Sequence, residues 1–195
     1  MKIAKFSRLA QKSKYLDIIY FSGSGTTWMS NGYGFYSTMS FPRVADVGEI
    51  LTAFDITRKA AEDMHFGNLV FDSPDGLESI DLDNYSDKEA DAEVMQVVVS
   101  VGDRVLKAVQ AAGQLVFFDG AHLAPISDEL ADDDGYIRYY VRHKEDGTPY
   151  IVIKNGTIAI AVIMPVQVLS DMFMDSLKKF YGLCLSQANL EKSRK

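Results

Sequence analysis

The chain is poor in the residues that build cross-links, metal centres and membrane spans. It has one cysteine, Cys184, so no internal disulfide can form. A reducing compartment is expected, with Cys184 a small buried hydrophobe in the apolar stripe of the last helix. A nucleophile on Cys184 would need a positioned histidine. The three histidines, His65, His122 and His143, have no second His or Cys at zinc-ligand spacing. Nowhere do 18 apolar residues run together, and the opening MKIAKFSRLAQKSK lacks the apolar core of a signal peptide. The expectation is a cytoplasmic protein with no membrane partner, no metal, no cofactor and no catalytic constellation, hence not an enzyme.

Two motif types fail on inspection. Gly23-Ser24-Gly25 is followed by a strand pattern, whereas a phosphate cradle needs a helix to aim its amides, so a hairpin turn is expected. A calcium loop read from Asp81 would need Gly at the sixth position and Glu at the twelfth. Those positions hold Ser86 and Ala92. The run from Asp81 to Glu93 reads as a solvated loop, and ADDDG at 131–135 as a solvated turn.

What is present is enough for a core: 47% of residues are hydrophobic and 24% charged. The net charge of −7 is unevenly spread. Residues 1–42 carry five Lys/Arg against one acid, residues 43–135 six against 21, and residues 136–195 nine against five. The acidic middle reads as a solvated surface. The sharper reading makes the two ends one electropositive face.

The pattern predicts a strand over 1–6, a short helix from Ser7 as N-cap, and strands at YLDIIYFS, TTWMS and YGFYSTMSF. Asn31-Gly32 predicts a type I′ hairpin turn with positive φ at both residues. Pro42 ends the third strand, and Val47, Ile50, Leu51 and Phe54 fall at helical spacing. The same order returns from Gln114: a strand, a helix over HLAPISDELADDD, strands GYIRYYVRH, YIVIK and TIAIAVIM, the turn Asn155-Gly156, Pro165, and a closing helix. The expected fold is α+β, antiparallel sheets with few helices, built from duplicated βαβββ units. Its parts are residues 1–57, an acidic connector with strands over 58–113, and residues 114–195, making one compact domain. Trp28, on an edge-like strand with Tyr33, Phe35 and Tyr36, reads either as a packed sheet face or as a base-stacking platform.

Strand, helix and three strands, given twice, resembles the DNA polymerase processivity clamps. MKIAKFSRLAQKS is similar to the opening of such a unit, SNGYGFYS to its tight turn, and AVIMPVQV to the clamp's closing strand. The chain also resembles small uncharacterised proteins of phages and mobile elements of Firmicutes. The resemblance implies a non-enzymatic accessory protein acting through protein–protein contacts with a replication or defence partner. It implies a peptide pocket at Val162, Met164 and Pro165, and DNA-facing cations at Lys5, Arg8, Lys12 and Lys14. The alternative is a nucleic-acid-binding module using the basic N-terminal helix and the C-terminal tail (Lys178, Lys179, Lys192, Arg194, Lys195). Three features depart from the clamps: the second helix is acidic (Asp128, Glu129, Asp132 to Asp134), the chain continues past the Met-Pro strand end, and its length is about half a bacterial clamp subunit. The oligomeric state is left open.

Overall fold

The computed structural model describes residues 1–38, 41–72, 80–132 and 136–166. The expected last helix with Cys184, the C-terminal cations, Asp133 and Asp134 lie outside them. The first element corrects the sequence reading. No strand covers 1–6: helix α1 spans Ile3–Ser13. Ser7 is no cap. It is buried in mid-helix, and its hydroxyl donates to the carbonyl of Phe54 at 2.6 Å. Phe6 and Ala10, four apart, share the buried stripe. The Phe6 ring meets Tyr36 edge-on at 5.6 Å and lies 5.7 Å from Phe54. Tertiary burial of that stripe outweighs the local alternation of MKIAKF.

Next come β1 (Tyr15–Phe21), β2 (Thr26–Ser30), β3 (Gly34–Thr38), α2 (Val47–Ala53), α3 (Arg58–Ala61) and β4 (His65–Phe71). Then follow β5 (Ala90–Val101), β6 (Arg104–Ala111), β7 (Gln114–Asp119), a 3₁₀ helix (Gly120–Ile126), α4 (Ser127–Ala131), β8 (Ile137–His143), β9 (Pro149–Asn155) and β10 (Ile158–Ile163). Asp46 caps α2 by accepting from the Glu49 amide. The strands make one ten-stranded sheet in the order β4-β1-β2-β3-β10-β9-β8-β5-β6-β7. Every pairing is antiparallel except β1 with β4. The fold is therefore α+β, with a mostly antiparallel sheet and few helices. A helix followed by three antiparallel strands occurs at α1–β3 and again from the 3₁₀ helix and α4 to β10. The two closing strands are neighbours, with Val162 opposite Phe35.

Strand alternation sorts the sheet into two faces. One buries Leu16, Ile18, Tyr36, Ile151 and Ile153 with Phe6 and Ala10 of α1 and with Ile50 and Phe54. The other buries Ile19, Phe21, Trp28, Phe35, Val152 and Val162, joined by Ile80 and Leu82. Each fully buried apolar side chain contributes about 1.5–3 kcal/mol. Met1–Pro165 form one compact unit.

The Asn-Gly turns also differ from expectation. In both, the asparagine flanks the loop and glycine is its first central residue, with φ of 83° at Gly32 and 61° at Gly156. Asn31 uses its side chain instead: Oδ1 accepts from the amides of Tyr33 (3.3 Å) and Gly34 (2.8 Å). The turn with positive φ at both central residues joins β6 to β7, at Ala112 (47°) and Gly113 (80°).

Candidate functional site

Each predicted site residue has a definite place. Val162 is fully buried in β10, an interior strand paired on both sides, and belongs to the second apolar cluster. Met164 is partly buried against the same cluster, and its amide donates to the carbonyl of Tyr33 at 2.8 Å. Pro165 is half-buried beside it. Val162 thus serves the core, and Met164 and Pro165 are the two of the three that reach the surface. Trp28 sits on an interior strand, not an edge, and is buried in the same cluster. Its partner Tyr33 is exposed.

The α1 cations do not stand together as an open basic face. Lys5 Nζ donates to Ser127 Oγ at 2.8 Å. Lys12 pairs with Asp103 at 3.2 Å, and its hydrogen bond holds the Asp103 carboxyl below the usual range. Lys14 pairs with Asp63 at 3.7 Å, and Lys2 with Asp128 at 2.6 Å. Arg8 is exposed and makes no ion pair among the described residues. Acids from three other segments therefore meet the basic helix, which weakens its pull on phosphates.

Two features were missed from sequence. The first is the acidic segment, which is no solvated loop. Ile80 and Leu82 bury against the sheet, and Ala90 to Glu93 belong to β5. Polar anchors tie the segment down: the Asp81 amide donates to Tyr150 Oη at 3.1 Å, and the Ala159 amide donates to Asn84 Oδ1 at 2.8 Å. Glu89 takes Arg142 on one oxygen (Nη2 2.6 Å, Nε 3.0 Å) and Lys154 on the other (2.6 Å). Arg142 also donates to the Asp81 carbonyl at 3.0 Å. Both cations are almost wholly buried. Burial alone would raise the Glu89 carboxyl, but the hydrogen bonds from Lys154 and Arg142 outweigh it and hold it below its ordinary value. The signal was there to read: Lys154 is in phase with Tyr150 and Val152, so a lysine had to enter an apolar face and needed a carboxylate.

Above this network lies an open cleft of about 600 Å³, lined by Asn84, Tyr85 and Glu89 on one side and by Tyr136, Arg138, Tyr140 and Lys154 on the other. Lys154 Nζ sits 4.5 Å from the centre of the Tyr140 ring.

The second missed feature is the open edge of the long β5–β6 hairpin. β8 pairs with β5 only at Ala90, Asp91 and Ala92. From Glu93 to Val101 the strand is paired on its β6 side alone among the described residues. Val94, Val97, Val98, Val101 and Val105 stand 42–57% exposed along it. Val94, Val98 and Val105 share one face, since each lies opposite a residue of the same phase.

No family model, curated protein or solved structure matches the chain. Among the described residues no helix is long and apolar enough to cross a membrane, and no three His, Cys, Asp or Glu gather as a metal set. His122 is buried beside Tyr36, whose hydroxyl donates to the His122 carbonyl at 2.9 Å, and burial pushes its imidazole pKa down. Among the described residues, what remains chemically open is a strand edge flanked by valines and a cleft with an exposed guanidinium.

Proposed function

We propose that the chain is a non-enzymatic binding protein that works through protein–protein contacts, with the free edge of β5 as its contact strand. The observation that carries this reading is one segment with exposed valines and an edge that no described residue pairs. A long edge with exposed valines is a liability for a protein that does not use it, even with the register shift between Met95 and Val98. Used, it accepts a partner strand: main-chain hydrogen bonds supply affinity and alternate side chains supply specificity. The buried ion network supports a binding role over catalysis, because Glu89 is committed to two cations.

The finer reading is a clamp-like accessory protein of a phage or mobile element, engaging a replication or defence partner. It is supported by the helix-and-three-strands order occurring twice, with β3 and β10 side by side. It is weakened in the first unit, which has no opening strand. Binding of DNA through Lys5, Arg8, Lys12 and Lys14 has less support, because only Arg8 lacks a partner.

The test is capture from a bacterial lysate on two baits, the natural chain and Val98→Lys. Val98 is 57% exposed, so the substitution should leave stability within about 0.5 kcal/mol. The expected result is a protein held by the natural chain and lost from the variant. Equal capture by both would overturn the assignment of the edge.

A further inference from the structure

Tyr85 and Tyr136, each 77% exposed, are the most exposed large apolar side chains among the described residues, and both line the cleft above Glu89. Rings left in water at the rim of one concavity are suited to stack on something flat. Arg138 lies in phase with Tyr140 and Arg142 on β8, so it points to the same sheet face, and it has no ion pair among the described residues. At the floor, Lys154 has three N–H donors. Its hydrogen bond to Glu89 accounts for one, and the Tyr140 ring face meets the ammonium charge. Among the described residues the lining carries two cations against the single carboxylate of Glu89, in a chain whose net charge is −7. A positive, ring-flanked cleft on an acidic protein selects an anion over a cation.

We propose that this cleft binds a small ligand in which an oxyanion, phosphate or carboxylate, is attached to a flat ring. The guanidinium of Arg138 takes the oxyanion, as its planar fork is built to do. Tyr85 and Tyr136 flank the ring. A cleft of about 600 Å³ has room for a mononucleotide or an aromatic acid. Glu89 fixes the floor, its charge met by Arg142 and Lys154. Arg138 also borders a recess with Asp91, Ala92 and Val94 where the β5 edge begins, so Val98→Lys, farther along that edge, and Arg138→Ala test the two assignments separately.

The experiment is titration of the full chain, followed by amide NMR shifts, with AMP and benzoate as ring-bearing anions, and adenosine and inorganic phosphate as the separated halves. The expected result is saturable shifts at residues 84–89, 136–140 and 154–157 with AMP or benzoate. Arg138→Ala should weaken that binding about tenfold or more, from loss of a charged hydrogen bond, while Arg58→Ala on exposed α3 leaves it unchanged. Each half should bind more weakly than the joined ligand. No shifts in the cleft with either ring-bearing anion, shifts that survive Arg138→Ala, or adenosine binding as well as AMP would each overturn the proposal.

Discussion

Glu89 holds two buried cations with one carboxylate, and its neutral isostere tests how much depends on that. Glu89→Gln removes the charge but keeps the shape, so Lys154 is left buried without a counter-ion and Arg142 keeps only the half-exposed Asp81 carboxylate, 3.2 Å from its Nη1. Breaking a buried pair from one side costs about 3–5 kcal/mol, and chemical denaturation of the variant should read a loss of that size. A loss below about 1 kcal/mol would mean that water, not Glu89, satisfies the cations. The sign with pH follows from the lowered carboxyl. The folded state binds the Glu89 proton less readily than the unfolded chain does. The pairing therefore stabilises in full above the ordinary value of 4.5, and its contribution falls away as pH drops from there through the lowered folded value. None of this was legible from the acidic run alone, because thirteen residues rich in Asp and Glu have the composition of a solvated loop. It was legible from the other side, in the lysine and arginine that fall in phase with buried residues of β8 and β9.

At the level of elements, apolar alternation and turn chemistry located the three strands of each meander, helix α2 and the strand end before Pro165. They misjudged α1, where six residues fit a strand and eleven fit a helix, and the longer period decides. They also misplaced the positive-φ turn. Asn-Gly is the strong signal, yet the doubly left-handed turn sits at Ala112–Gly113, where an alanine gives no local hint. An L-residue other than Asn, Asp or Gly in that conformation carries about 1 kcal/mol of strain. Ala112→Asn should therefore raise stability by a few tenths to about 1 kcal/mol, read as a higher Tm, because asparagine tolerates that region far better. An unchanged or lower Tm would show that the turn relaxes elsewhere. The strands β5 and β6 fall within the connector over 58–113, where strands were expected. The free edge of β5 was not legible, because nothing in a strand's own sequence says how far its neighbour follows it.

For the molecule, the same gap between local pattern and long-range pairing explains what was hidden. The order of elements came from the sequence. The neighbour relations did not: β10 beside β3, β4 parallel to β1, and β5 leaving β8 after three residues. Burial of Val162 follows from the first of these relations and exposure of Val98 from the last. Together they move the candidate contact surface away from the Met-Pro strand end and onto the hairpin. The electrostatic picture changes for the same reason, since folding brings Asp63, Asp103 and Asp128 to the lysines around α1. The measurement that bears most directly on the contact edge is hydrogen–deuterium exchange along β5, in the isolated chain and with the protein captured by the natural bait. The expected result is that amides between Glu93 and Val101 on the side away from β6 exchange rapidly alone and slow markedly in the complex. Protection of those amides in the isolated chain, or exchange unchanged by the partner, would contradict it.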